Sequence, residues 1–203
     1  MSTDQTVAGI DEVGMGPIAG PIVFGLVLLD KGTELPAVRD SKKLSEKQKY
    51  EAAVQVAERA RYHFIYKATA AAIDHHGVGK IWTEAVDVLV EVASVQCKGV
   101  KIIIDGSAKA LTTNYPVEFM VKADEKIPAV SAASVLAKCE QMEIMNHLHD
   151  LYPEYGFNVN RGYGTAAHID ALREFGAVRG LHRQKYAHTL AKNQGFKLRW
   201  RDS

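Results

Sequence analysis

Four acidic side chains have the types and positions that could carry chemistry in this chain: Asp11, Glu12, Asp105 and Asp124. Each comes at or close to the end of an apolar run that has the length of a buried strand. Since ligand sites in α/β sheets gather at strand ends, we expect the four carboxylates to converge on one pocket. Taken singly, each acid is also typical of an exposed strand end or a helix N-cap.

Clustered carboxylates repel one another and raise one another's pKa unless a cation compensates. Mg²⁺ prefers oxygen ligands and keeps several waters, so it can also bind a substrate phosphate. Two such ions stabilise both the attacking and the leaving oxygen of a phosphoryl transfer. The acidic residues alone therefore indicate a metal-dependent phosphoryl-transfer enzyme as one interpretation of the chain.

The acids must be positioned by strands and helices that alternate along the chain. Strand-like runs cover residues 7–10, 22–29, 62–68, 100–104 and 117–121. Helical composition or spacing covers residues 46–61, 81–94, 127–151 and 165–175. Ser45 is a suitable N-cap for the first of these helices. Strands with helices between them predict one α/β layer structure.

Length and composition are those of one globular domain. The chain has 203 residues, of which 47% are hydrophobic and 24% charged, so wholesale disorder is excluded. We expect a single domain with a sheet-and-helix core over about residues 1–145 and a helical C-terminal part over about 146–203. Cys97 and Cys139 cannot build a disulfide scaffold and are expected to be buried, reduced thiols.

No segment is typical of a membrane protein or a secreted one. The uncharged stretch at residues 16–29 is broken by prolines and glycines and falls short of the ~18 residues that a transmembrane helix needs. The N-terminus carries Asp4, Asp11 and Glu12 rather than the basic region of a signal peptide. We expect a cytoplasmic protein with no membrane partner.

Basic charge is concentrated near the C-terminus. The whole chain has a net charge of +1, but residues 173–203 hold eight Lys and Arg against two acidic residues, a net +6. A basic end on a neutral chain is consistent with contact to a phosphate backbone. The alternative is a solvated helix face followed by a frayed terminus.

Several sequence blocks, taken together, resemble a known family. They are residues 9–21 (GIDEVGMGPIAGP), 40–44 (DSKKL), 104–106 (IDG), 122–124 (KAD), 130–138 (VSAASVLAK), 152–157 (YPEYGF), 162–165 (GYGT) with His168 beyond, and His182-Arg183. In this order they are similar to the blocks of type 2 ribonucleases H, the ribonuclease HII family. Any one block is a weak signal, but the set spans residues 8–190 and is highly specific.

The resemblance implies an RNase H-like α/β fold: a mixed five-stranded sheet flanked by helices, with a helical C-terminal part. It implies endonucleolytic hydrolysis of RNA in RNA–DNA hybrids and cleavage at ribonucleotides embedded in duplex DNA, leaving 3′-hydroxyl and 5′-phosphate ends. The family's metal-binding and catalytic acids fall on the four residues singled out above, Asp11, Glu12, Asp105 and Asp124. In the family they hold Mg²⁺ or Mn²⁺ at a two-metal site, where a metal-activated water attacks the phosphate.

The resemblance also assigns residues to substrate binding: Gly14, Met15, Gly16, Ser41, Lys42, Lys43, Tyr163 and Arg183. In the family, a glycine-x-glycine loop and a tyrosine read the 2′-hydroxyl, which distinguishes RNA from DNA. Here they would be residues 14–16 and Tyr163. Glycines allow the backbone to approach the nucleotide closely. The three residues at 41–43 would face backbone phosphates. Plain turn chemistry, a half-buried aromatic ring and a solvated helix start are the corresponding alternatives.

The sequence departs from the family pattern at three places. Met15 stands where the family usually has arginine, which removes a charged phosphate contact. Residues 140–142 (EQM) replace a common Thr-Arg-Asp stretch, and residues 74–77 (DHHG) are expected to form a surface loop rather than a metal site. These departures leave two alternatives open: a hybrid-binding protein with reduced or lost catalysis, and an enzyme that prefers long hybrids, as type HIII enzymes do. We expect a monomer, and no clear motif for a sliding clamp is present.

Overall fold

The computed structural model describes residues 6–38 and 44–202. The strands are β1 (Thr6–Val13), β2 (Ile22–Asp30), β3 (Tyr62–Ala68), β4 (Lys101–Asp105), β5 (Val117–Met120), β6 (Ala177–Val178) and β7 (Trp200–Arg201). The helices are α1 (Glu46–Arg59), α2 (Ala70–His76), α3 (Val78–Gln96), α4 (Pro128–Leu151), α5 (Phe157–Asn160), α6 (Ala166–Phe175) and α7 (Gln184–Asn193). All the strands and helices predicted from the sequence are present, with small shifts of their ends.

The chain forms two compact units. The first consists of Met1–Val13, Val23–Tyr66 and Trp82–Cys139, and the second of Gly14–Ile22, Lys67–Ile81 and Glu140–Ser203. The predicted division of a single domain near residue 145 stays a prediction.

The first unit is built on a mixed five-stranded sheet with the order β3-β2-β1-β4-β5. Strand β1 runs antiparallel to β2 and parallel to β4, and β4 runs parallel to β5. The predicted sheet is therefore confirmed. Strand β2 is buried on both faces along nearly its whole length, which explains why its sequence is continuously apolar rather than alternating.

Helix α4 lies close against this sheet because two glycines leave room for it. A methyl group at Gly9 of β1 would stand 2.2 Å from the carbonyl carbon of Ala129, and one at Gly25 of β2 would stand 2.3 Å from the Ala133 oxygen. Both distances are far inside van der Waals contact. The small residues of strand and helix thus fix the depth at which α4 packs, and with it the position of the helix's polar side chains.

Helix α1 follows its sequence signals closely. The Ser45 hydroxyl accepts from the Gln48 amide, and the Gln48 side chain accepts from the Ser45 amide, which forms a capping box. Its buried residues Ala52 and Val56 join the core cluster that also contains Val27 and Leu29 of β2. Helices therefore flank the sheet as predicted.

The second unit has its own core. Apolar side chains from its helices pack around Tyr155 and Phe157, whose rings stack with centroids 5.4 Å apart. Strands β6 and β7 form a small parallel sheet. Three side chains of the basic C-terminal segment pack against this core: Phe196, Leu198 and Trp200. That segment is therefore packed rather than frayed over residues 196–201.

The sequence did not indicate α2, α5, α7 or the β6–β7 pair. The prediction of a surface loop at residues 74–77 is wrong, because Asp74, His75 and His76 form the last turn of α2. Thr69 caps this helix by accepting from the Ala72 amide, and the alanines that follow are strong helix formers.

Two further expectations concern cysteine chemistry and membranes. Cys97 and Cys139 are buried and take part in no disulfide within the described part of the chain, as predicted. Among the described residues, no helix combines the length and the apolar character needed to cross a bilayer.

Candidate active site

Strand pairing brings Asp11 and Asp105 next to each other. In the parallel ladder between β1 and β4, Ile10 is the partner of Ile104. Asp11 and Asp105 are the next residues on these two neighbouring strands. The sequence placed Asp11 after its strand, whereas β1 continues to Val13 and the acid lies inside it. The strand therefore holds the Asp11 backbone rigidly.

Asp11 is buried, and its environment favours the neutral acid. Burial is the main reason why its pKa is raised to about 7, and the charges of Glu12 and Asp105 raise it further. A hydrogen bond from Ser134 and another from the Glu12 amide, at 2.8 Å, act in the opposite direction. The two hydrogen bonds thus offset only part of the combined effect of burial and the neighbouring charges on the pKa of Asp11.

Ser134 is one of the polar side chains that the depth of α4 controls. It is fully buried, and its hydroxyl accepts from Lys138 Nζ at 2.8 Å, one turn further along the helix. The Ser134 hydroxyl donates to Asp11 and accepts from Lys138, and these two hydrogen bonds fix its orientation. Helix α4 therefore orients the buried carboxylate.

Glu12 faces a different set of neighbours. Burial raises its pKa, while the indole of Trp82 and the ammonium of Lys109 lower it. Lys109 Nζ lies 3.8 Å from the centroid of the Trp82 ring, a cation–π contact. The Trp82 N–H is buried and approaches Glu12 without the geometry of a full hydrogen bond. Glu12 thus sits beside one cation and one buried donor.

Asp105 accepts a backbone hydrogen bond from the turn that carries the fourth acid, Asp124. Its Oδ1 accepts from the Ala123 amide at 2.7 Å. Ala123 begins the 3₁₀ turn Ala123–Glu125, which contains the half-buried Asp124. The turn that carries Asp124 is therefore attached to the end of β4.

The four acids fit a hard divalent cation by donor type and by charge. All are carboxylates, and a cation would favour the ionised form of Asp11, whose pKa is raised first by burial and then by the charges of Glu12 and Asp105. Over residues 6–38 and 44–202, however, no three His, Cys, Asp or Glu side chains stand close enough to form a ready-made ligand set. The structure places Asp11 and Asp105 on neighbouring strands, and the convergence of all four carboxylates on one metal site stays a prediction.

The second unit holds the predicted glycine loop, residues 14–21, and one arginine fixes its shape. Arg183 is fully buried, and its guanidinium donates to the carbonyl oxygens of Gly14, Met15, Gly20 and Pro21 at 2.7–3.2 Å. Burial lowers the pKa of Arg183 to about 10, which leaves it charged at neutral pH. Because four of its five N–H donors serve the loop, Arg183 does not present a free guanidinium to solvent.

Gly14 is required where it stands. Its φ of +93° lies in a region that other residues rarely adopt, and a side chain there would meet the Pro21 oxygen at 2.6 Å. The Gly14 carbonyl is directed at Arg183. Gly16, in the same short loop, has an exposed backbone.

Tyr163 lies against this loop. Its side chain is 49% exposed, and a methyl group at Gly16 would stand 3.4 Å from the Tyr163 ring, an ordinary contact. The neighbouring Gly162 carbonyl accepts from the amides of Ile18 and Ala19. The structure thus brings Gly14, Met15, Gly16, Tyr163 and Arg183 together, while Ser41, Lys42 and Lys43 lie outside the described residues.

Sequence reasoning assigned no role to four residues near the acids: Trp82, Lys109, Ser134 and Lys138. Ser134 and Lys138 carried a usable signal, since two polar residues four apart on an apolar helix share one face. Trp82 carried none, because an aromatic residue at helical spacing is typical of any core.

Comparison with known proteins agrees with this picture. The family pattern described as Ribonuclease HII matches residues 8–189. Ribonuclease HII of Hydrogenovibrio crunogenus is 38% identical over 180 residues, which cover 89% of this chain and 85% of that protein.

Two solved structures have the same fold. One is the ribonuclease H2 from Pyrococcus horikoshii OT3, with a TM-score of 0.75 and 24% identity over 93% of this chain and 98% of that one. Bst-RNase HIII in complex with Mn²⁺ has a TM-score of 0.69 and 22% identity, over 93% of this chain and 71% of that one.

The mixed five-stranded sheet, with Asp11 and Asp105 on neighbouring strands, has the RNase H fold. The chain belongs to the ribonuclease HII family. It is accordingly a ribonuclease H endonuclease that binds nucleic acid.

Proposed function

We propose that this endonuclease cuts the RNA strand of RNA–DNA hybrids and also cleaves at ribonucleotides embedded in duplex DNA. The products would carry 3′-hydroxyl and 5′-phosphate ends. The observation that carries the proposal is the buried Asp11, whose carboxylate lies among the charges of Glu12 and Asp105 with its pKa raised to about 7. Carboxyl groups whose pKa is raised by burial and by neighbouring charges cluster at functional sites.

Asp11, Glu12, Asp105 and Asp124 would hold Mg²⁺ or Mn²⁺ at a two-metal site. The metal ions supply charge neutralisation at the phosphate and a hydroxide-like nucleophile. Support for a divalent metal comes from the all-carboxylate donor set and from the Mn²⁺ complex of the RNase HIII with the same fold. Ser134 orients Asp11, and the Ala123 amide orients Asp105.

Recognition of the ribose falls to the second unit in this proposal. The Gly14–Gly16 backbone and Tyr163 would contact the 2′-hydroxyl, with the exposed Gly16 and the ring beside it as the surface. Arg183, assigned to substrate binding by the resemblance, would act by holding the loop, because its donors are directed to the loop carbonyls. Contact of Ser41, Lys42 and Lys43 with phosphates stays a prediction.

A preference for long hybrids, as in type HIII enzymes, is the second candidate. The observation that favours it is Met15, an uncharged residue where the family usually has arginine. A hybrid-binding protein without catalysis is disfavoured, because the chain keeps four acids that such a protein would not need. A monomeric state, a cytoplasmic location and the lack of a clamp motif stay predictions.

The test is a cleavage assay with Mg²⁺ and with Mn²⁺ on two substrates: a DNA duplex with one ribonucleotide and a continuous RNA–DNA hybrid. We expect both to be cut, the first on the 5′ side of the ribonucleotide. Asp11→Asn should reduce turnover by orders of magnitude, while Asp150→Asn, on the exposed surface of α4, should not. Cleavage of the hybrid alone would support the second candidate, and no cleavage with either metal would contradict the proposal.

A further inference from the structure

Two histidines in the second unit form a buried pair that reaches Tyr163. His168 and His182 are both 0% exposed, and their Nε2 atoms lie 3.1 Å apart. At one end, His168 Nδ1 lies 2.9 Å from the carbonyl oxygen of Tyr163. At the other end, the amide of Val178 donates to His182 Nδ1 at 2.9 Å. The four groups form one continuous chain of hydrogen bonds.

Only one arrangement of protons satisfies this chain. Because the Val178 amide can only donate, His182 Nδ1 must accept, and the proton of a neutral His182 is on Nε2. That proton is donated to His168 Nε2, so the proton of His168 is on Nδ1. His168 then donates to the Tyr163 carbonyl. The direction of every hydrogen bond follows from a single backbone amide.

A charged ring would break the chain. An added proton on His182 Nδ1 would face the Val178 amide, and one on His168 Nε2 would face the His182 proton. The surroundings agree, since burial lowers the pKa of both rings, that of His182 to about 3. The rings of Tyr155 and Phe157 contact both histidines, and the charge of Arg201 further disfavours a cationic His182.

The pair connects two segments of the proposed ribose site. His182 is bridged to Ala19 of the glycine loop and directly precedes Arg183, which holds that loop. His168 fixes the main chain of Tyr163, whose carbonyl also accepts from the Thr165 amide. Two links therefore set the distance between the loop and the tyrosine main chain: the rigid, neutral histidine pair, and the Gly162 carbonyl that accepts from the amides of Ile18 and Ala19.

We propose that His168 and His182 are positioning residues for ribose recognition, which set the Tyr163 main chain relative to the glycine loop. This rests on the proposed role of Tyr163. The pair touches no reacting atom, so its effect must pass through Tyr163. Misplacement by about 1 Å of a group that orients substrate can cost up to roughly a hundredfold in rate.

A double-mutant cycle tests this on the full chain with the single-ribonucleotide duplex. His168→Phe should lower kcat/KM by roughly ten- to a hundredfold. His168→Asn should restore part of it, because its amide can still donate to the Tyr163 carbonyl. In a Tyr163→Ala background, His168→Phe should add less than about twofold, because coupled residues are not additive. The exposed His75→Asn is the matched control and should match the wild type.

The outcomes separate the two ideas. If Tyr163→Ala retains wild-type kinetics, both the reading of ribose by Tyr163 and the positioning role are overturned. A second outcome is that Tyr163→Ala lowers kcat/KM and that His168→Phe lowers it by the same factor in this background as in the wild type. In that case only the positioning role is overturned. Should His168→Phe fail to fold, ¹⁵N NMR of the wild type decides: a proton on His168 Nδ1 and on His182 Nε2 at pH 7 supports the proposal, and a charged or reversed pair contradicts it.

Discussion

Arg183 Nη2 donates to the carbonyl oxygen of Gly14 at 2.7 Å, across 169 positions of sequence. The guanidinium reaches three more carbonyls of the same loop and is completely buried. A loop rich in glycine and proline lacks regular backbone pairing of its own. The arginine supplies the donors that a neighbouring strand would otherwise provide, so the loop's shape depends on a residue from the far end of the chain.

We predict that Arg183→Met lowers the free energy of unfolding by about 3–5 kcal/mol, because it leaves buried carbonyls without donors. Urea unfolding at neutral pH measures this. The control is Arg179→Met, whose ion pair with Asp202 is long and exposed; its effect should stay within about 0.5 kcal/mol. Equal stability of the two variants would contradict the structural role of Arg183.

The close packing of α4 on the sheet gives a second prediction. Gly25→Ala places a methyl group 2.3 Å from the Ala133 oxygen, so the helix must move. We expect a loss of about 2–4 kcal/mol, the cost of overpacking a tight contact. The control, Gly79→Ala in α3, meets nothing within 4 Å and should stabilise the protein by about 0.5–1 kcal/mol. Thermal unfolding of the two variants should therefore shift in opposite directions.

Stability should fall in acid because of the buried histidine pair. Burial lowers the pKa of His182 from 6.5 in the unfolded chain to about 3 in the folded one. Between these values the unfolded state binds more protons, so stability is complete above about pH 6.5 and is lost as pH falls. We expect a loss of about 1.4 kcal/mol per pH unit below pH 6 from this group.

Urea unfolding at pH 7, 6 and 5 measures that slope. A variant without the titrating ring, His182→Asn, should show a shallower slope, whereas the exposed His75→Asn should keep the slope of the wild type. A slope in His182→Asn as steep as in the wild type would assign the acid sensitivity to other groups.

In the absence of metal, ionisation of the buried Asp11 should lower the free energy of unfolding. Its folded pKa of about 7 lies above the ordinary aspartate value of 3.8, so the folded state binds more protons between these values. Stability therefore declines as pH rises through this window, and the whole cost is present above about pH 7. We expect Asp11→Asn to stabilise the metal-free protein by about 2–4 kcal/mol at pH 8, while it abolishes cleavage.

Thermal unfolding in chelator checks this expectation. Millimolar Mg²⁺ should then raise the Tm of the wild type, because a ligand that binds only the folded state stabilises it. The same addition should have little effect on Asp11→Asn. A variant less stable than the wild type in chelator would show that Asp11 is structural.

The sequence predicted most of the first unit because its signals are local. The capping box at Ser45 and the continuous apolar run of β2 each determine one element with little help from the rest of the chain. The four acids were singled out by their positions near strand ends and by resemblance, and their shared role stays a prediction. The placement of Asp11 beside Asp105 needed only a parallel ladder.

The remainder depends on contacts between distant residues. An arginine is normally exposed, so the sequence suggested that Arg183 would meet a phosphate rather than a buried loop. His168 and His182 are 14 residues apart, and nothing in their spacing indicates that their rings meet. Trp82 looks like any core aromatic until its indole is found beside Glu12.

Because of the contact between Lys109 and Trp82, the fluorescence of Trp82 should report the binding of a metal ion at Glu12. The ammonium lies over one face of the indole and beside the carboxylate of Glu12. A divalent cation at Glu12 would repel Lys109, which lies on an exposed segment, and would uncover that face. The emission of Trp82 should then change with metal occupancy, and Trp200→Phe would leave Trp82 as the sole tryptophan of the chain.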